Sequence, residues 1–150
     1  MTDPTRRALL ALPILALAAC GDRRRARGPS AGGPAEVNRL IADYAARYDV
    51  PEDLVHRVVR RESGYNPAAR NGPYYGLMQI LPQTARTMGF RGEPDDLLDA
   101  DTNLRYGVKY LRGAWLVAGG DRDAAEMWYR RGYYYEAKRK GLLEETGLRG

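Results

Sequence analysis

A chain of 150 residues has room for one domain with a modest core. One cysteine excludes an internal disulfide, and no His, Cys, Asp and Glu group has metal-ligand spacing, so neither a metal nor another cofactor is expected. The net charge of +5, from 24 Lys and Arg against 19 Asp and Glu, favours anionic surroundings.

At the N-terminus, Arg6-Arg7 precede an apolar run from Ala8 to Ala19 that ends Leu17-Ala18-Ala19-Cys20. A short basic segment followed by about a dozen apolar residues describes a secretory leader and is too short to span a bilayer. Small residues before a cysteine resemble the lipobox of bacterial lipoproteins. That resemblance makes residues 1–19 a lipoprotein signal peptide and Cys20 the lipidated first residue of the mature chain. Gly21 follows Cys20 where an Asp would favour inner-membrane retention in enteric-type sorting, so the expected place is the periplasm, anchored to the outer membrane. An exported chain has no nucleic acid to meet; its basic balance suits lipid headgroups or the acidic peptides of a cell wall. Residues 20–35 are rich in Arg, Gly and Pro and nearly free of core-forming side chains. They read as a flexible tether with a reach of about 20 Å.

Residues 36–150 form the expected domain, a monomer of mainly helical class. Val37, Leu40, Ile41, Tyr44, Ala45 and Tyr48 share one helical face. Residues 50–63 make a second helix, with Pro51 at the first helical position, where its missing N–H costs nothing. The turn-rich stretch Arg70–Tyr75 is the one place for a small extended wing. A short helix, residues 83–88, follows Pro82. Asp101 is expected to cap a helix whose inward residues are Leu104, Val108, Leu111 and Trp115, ended by Gly119-Gly120. Asp121 or Asp123 caps the next, through Ala124, Ala125, Trp128 and Tyr129, and residues 134–143 form the last. Asp95, Asp96, Asp99 and Asp101 read as a polar loop leading into a helix cap.

Glu62 stands out chemically. It lies four residues beyond Val58 and three beyond Val59, on the apolar stripe of the second helix, and Ser63-Gly64 follow at once. A carboxyl at the edge of a core is partly desolvated, which favours the protonated form that general-acid cleavage of a glycosidic bond requires. His56 falls on the polar side of the same helix and is a poor catalytic candidate.

Glu62-Ser63-Gly64, then Gly76-Leu77-Met78-Gln79-Ile80, then Asn103, Gly107 and Tyr110-Leu111, and finally Tyr129 with Gly132, resemble in order and spacing the motifs of the soluble-type lytic transglycosylases, a lysozyme-like family. The resemblance runs from about Val37 to about Leu143. It implies a lysozyme-like helical domain with at most a small wing, acting on peptidoglycan glycan strands. In that family one carboxylic acid protonates the bond between N-acetylmuramic acid and N-acetylglucosamine, then serves as base while the muramic C6 hydroxyl closes a 1,6-anhydro ring. Glu62 maps onto this acid.

The remaining candidates are substrate contacts. The Ser63 hydroxyl either orients the substrate, as the motif implies, or satisfies a backbone carbonyl at the helix end. Gln79 resembles the family glutamine that contacts substrate, and an amide there also suits a loop backbone. Leu77, Met78 and Ile80 read as packing before chemistry, and Met78 alone is also placed as a flank for a sugar ring. Tyr129 maps onto the tyrosine whose hydroxyl approaches the acid. Arg130 departs from the pattern of that family, which usually has Asn there, and offers a cation either to peptide-stem carboxylates or to Glu62, whose pKa it would lower. In the run Gly132-Tyr133-Tyr134-Tyr135, the tyrosines either stack on sugar rings, with Tyr133 taken as the contact, or cover the core with their hydroxyls in water. A hydrolytic muramidase on the same fold, and a non-catalytic wall-binding protein, stand as alternatives.

Overall fold

The computed structural model describes residues 34–148. The leader, Cys20 and residues 21–33 of the tether lie outside them. The order is α1 (Pro34–Tyr48), α2 (Glu52–Ser63), β1 (Arg70–Asn71), β2 (Tyr74–Tyr75), α3 (Pro82–Thr87), a 3-10 turn (Pro94–Leu98), α4 (Ala100–Val117), α5 (Arg122–Arg131) and α6 (Tyr134–Lys140). The first helix takes in Pro34 and Ala35, two residues assigned to the tether by composition. Among the described residues no helix is long and apolar enough to cross a membrane.

The central element is α4. It packs against α1, α3, α5, α6 and the 3-10 turn. Leu104, Val108, Leu111, Ala114 and Val117 point inward along one face and are fully buried. Trp115 stays only partly buried, so Ala114 and Val117 take the inward place expected of it. The helix cap also differs from expectation. Asp99, two residues before Asp101, accepts the Thr102 N–H at 2.9 Å. Asp101 sits inside the first turn and accepts from the Tyr44 hydroxyl (2.8 Å) and from Arg105 (2.8 Å), joining α4 to α1. Asp96 closes a reciprocal capping box with Glu93, so two of these aspartates serve helix starts. Asp121 caps α5 by accepting the Ala124 N–H at 2.7 Å.

Pro51 lies one position earlier than expected, as the N-cap of α2. That helix buries Leu54, Val55, Val58 and Val59 against the core and ends at Gly64, whose φ of +58° carries the chain out of the helix. The wing is a two-stranded antiparallel ribbon pairing Arg70 with Tyr75 and Asn71 with Tyr74.

The loop after the wing is held by buried polar groups. Asn103, fully buried on α4, accepts the Met78 N–H (2.9 Å) and donates to the carbonyls of Tyr75 and Leu97 (both 2.8 Å). Gly76 makes this approach possible: its φ is +72°, and a Cβ there would overlap the Asn103 amide and the Leu97 carbonyl. Met78 packs on Gly107, where a Cβ would meet its side chain. The motif glycines and Asn103 thus form one lock between α4 and the loop.

Candidate active site

Glu62 is the penultimate residue of α2, and its side chain is 21% exposed. It lines a cleft of about 270 Å³ with Asn71 and Tyr74 from the wing, Gln79 from the locked loop, and Tyr129 and Arg130 from α5. Four of the residues expected in the site, Glu62, Gln79, Tyr129 and Arg130, therefore meet in one concavity. Asn71 and Tyr74 were not singled out in the sequence. Their signal was the cross-strand pairing of the wing, which places both on the cleft.

Three expected contacts lie elsewhere. The Ser63 hydroxyl donates to the Val59 carbonyl at 3.1 Å, a helix-end bond, and Ser63 does not line the cleft. Met78 is fully buried against Gly107 and faces the core, not a sugar. Tyr133 is 1% exposed and packs against Gly113; its hydroxyl donates to the Tyr110 carbonyl at 2.8 Å. Of the tyrosine run, Tyr134 and Tyr135 are the exposed members.

Gln79 has a φ of +48°, a left-handed conformation that costs free energy in a non-glycine residue. Its amide offsets that cost. Nε2 donates to the carbonyls of Gly76 (2.9 Å) and Ala69 (3.1 Å), and Oε1 accepts from Asn71 Nδ2 (3.0 Å). Gln79 thus ties the wing to the loop across the floor of the cleft.

Tyr129 is buried, with its hydroxyl donating to the Met78 carbonyl at 2.8 Å. The bond expected to the catalytic carboxylate goes instead to the loop. Burial pushes the Tyr129 phenol well up, and the nearby Glu62 charge adds to the effect, so the hydroxyl remains a neutral donor. Tyr110 packs edge-on against Tyr129, with ring centroids 5.4 Å apart, and burial raises its phenol to about 12. Tyr129→Phe leaves the buried Met78 carbonyl without its donor. It should therefore lower stability by about 1–2 kcal/mol as well as reduce turnover. Chemical denaturation beside a turnover assay checks this; unchanged stability would show that the hydroxyl bond is not formed in solution.

A buried carboxylate lies next to the site. Glu126 on α5 has a side chain 9% exposed and pairs with Arg57 (2.7 Å) and with Arg61. Arg61 Nη2 also stands 3.4 Å from Glu62 Oε1. This cluster ties α2 to α5 next to Glu62. Sequence reading missed Glu126 because its partners lie more than sixty positions away. Among the described residues no group of His, Cys, Asp and Glu could hold a metal ion.

The family model for the transglycosylase SLT domain matches residues 39–141, which include every residue of the cleft. The chain belongs to the SLT domain family. Over 106 residues it is 30% identical to the soluble lytic murein transglycosylase of Escherichia coli strain K12, a match covering 66% of this chain and 16% of that protein. It is 38% identical over 82 residues to the membrane-bound lytic murein transglycosylase E of Buchnera aphidicola, covering 49% of this chain and 37% of the relative. The solved complex of the 70-kDa soluble lytic transglycosylase with bulgecin A superposes with a TM-score of 0.63 at 27% identity, over 77% of this chain and 19% of that one. The SLT domain here thus spans a small part of these longer relatives, and it shares their mainly helical, lysozyme-like fold with a minimal wing.

Proposed function

We propose that this SLT domain is a peptidoglycan lytic transglycosylase that cleaves the β-1,4 bond between N-acetylmuramic acid and N-acetylglucosamine, with Glu62 as its single general acid and base. The observation that carries the reading is that Glu62 is the one acidic residue lining its cleft among the described residues. Glycosidases that use water normally need two carboxylates facing the scissile bond. Among the described residues the one buried carboxylate, Glu126, is held by Arg57 and Arg61 and does not line the cleft.

In the proposed step the Glu62 proton passes to the glycosidic oxygen. The C1–O bond breaks, and its electron pair leaves with the N-acetylglucosamine hydroxyl. The muramic N-acetyl oxygen stabilises the electron-poor C1. The Glu62 carboxylate then takes the C6 hydroxyl proton as O6 bonds to C1, which closes the 1,6-anhydro ring and restores the acid. Attack from within the same sugar supplies proximity in place of a second enzyme group. Gln79 and Tyr129 shape the floor, and the exposed ring of Tyr74 offers an apolar face to a sugar. Purified glycan strands test this against a hydrolytic muramidase. Hydrolysis creates one new reducing end for each bond cut; transglycosylation creates none.

Cys20 is proposed as the lipid attachment site that holds the domain at the outer membrane, facing the wall from the periplasm. Several relatives bear names that call them membrane-bound, which supports this placement. One acyl chain binds only marginally, whereas the several chains of a lipoprotein hold stably. Cys20→Ser should move the protein from the membrane fraction or leave its leader uncleaved. Cell fractionation with mass measurement of the N-terminal peptide checks it; native protein that is soluble and carries no lipid mass contradicts the assignment.

A further inference from the structure

We infer that the catalytic cleft continues into an anion-binding lobe, built on Arg130 and Arg131, that takes a carboxylate of the peptide stem carried by the muramic sugar. This rests on the peptidoglycan reading above. The lobe has a volume of about 300 Å³ and shares Tyr74, Gln79, Tyr129 and Arg130 with the Glu62 cleft, so the two are continuous. Thr84, Arg131 and Gly132 extend it away from the acid.

Its charge is unbalanced. Two arginines line it and no Asp or Glu does. Elsewhere in the domain Arg57, Arg61, Arg105, Arg122 and Arg139 each face a carboxylate. Arg130 makes no hydrogen bond or ion pair among the described residues, and Arg131 has only a 4.0 Å contact from Nη1 to Met127 Sδ. Gly132, at a φ of +79°, turns the chain at the end of the lobe, close to the Tyr110 hydroxyl.

The glycan backbone of N-acetylated sugars carries no charge. The carboxylates of this polymer are on its peptide stems, which hang from the same sugar that must sit beside Glu62. A guanidinium fork matches a carboxylate in two parallel hydrogen bonds, and one next to a tyrosine floor can hold the stem while the rings hold sugar.

Binding to the full-length Glu62→Gln protein, which retains substrate, tests the lobe without relying on turnover. Three soluble probes suffice: glycan strands with free-carboxylate peptide stems, the same strands with the stem carboxylates amidated, and strands stripped of stems with the exposed muramic lactyl carboxylates amidated. The first should bind at least about tenfold more tightly than the other two, the scale of one charge-assisted bond. Adding Arg130→Gln and Arg131→Gln together should remove that advantage. Arg39→Gln and Arg47→Gln together, both on α1, remove an equal charge from an element that lines neither lobe and should preserve it. Equal binding of all three probes, an advantage that survives the Arg130 and Arg131 substitutions, or an equal loss with the Arg39 and Arg47 substitutions overturns the proposal. Wild-type protein that never cleaves strands would sink the transglycosylase reading and leave the binding preference to decide the lobe.

Discussion

Glu62→Gln should abolish cleavage, with a loss of at least about 10²-fold, the lower end for general acid–base catalysis. The amide is nearly the same size as the acid but can neither give up a proton to the glycosidic oxygen nor take one from the C6 hydroxyl. The variant should fold normally. The Glu62 side chain lies at the cleft surface, and among the described residues its polar contact is the 3.4 Å one from Arg61, which an amide oxygen can also receive. Turnover of purified sacculi, set beside the circular dichroism of the same sample, measures both. Near-normal turnover by a pure sample would remove the basis for the assignment.

Asn103→Leu should be the most damaging change away from the acid. The leucine is of similar size but replaces both halves of the amide with methyl groups. The Met78 N–H and the Leu97 carbonyl would lose their partner inside a region closed to water, and the Tyr75 carbonyl would keep only its bond from the Ile80 N–H. Each buried group left unpaired costs about 1–3 kcal/mol, so a total loss of roughly 3 kcal/mol or more is expected. That is a large part of the 5–15 kcal/mol that stabilises a typical domain. The melting temperature should fall by on the order of 10 °C. Activity should fall further than stability, because the loop that Asn103 holds carries Gln79 into the cleft. Thermal unfolding of the pair of proteins checks the first point, and turnover well below the variant's melting temperature checks the second. A variant with an unchanged melting temperature would mean that water replaces the amide.

Local signals in the sequence reached far into this molecule. The spacing of Val58, Val59 and Glu62 was enough to place the acid at the end of a stripe, because a helix's 3.6-residue period is a property of neighbouring residues. The wing was legible from its cluster of Asn, Gly and Pro. The readings that failed turned on non-local partners. Met78 and Tyr75 reach Asn103 from 25 and 28 positions away, and no local pattern reports which amide closes which loop. Tyr129 was aligned correctly on the cleft, but the direction of its hydroxyl depends on where the Met78 carbonyl comes to lie. Tyr133 reads as one of three equivalent tyrosines until Gly113, twenty positions earlier, is seen to leave the space its ring fills. Asp99 and Asp101 are both competent helix caps by residue type; the preceding 3-10 turn fixes which of them meets the first free N–H groups.

The central claim is that Glu62 transfers the bond within the sugar and admits no water. Mass spectrometry of the soluble fragments released from purified sacculi by the wild-type protein measures this directly. The account predicts fragments whose muramic ends are one water lighter than the hydrolysis product and resist borohydride reduction. Fragments at the full hydrolytic mass, with reducible muramic ends, would contradict it.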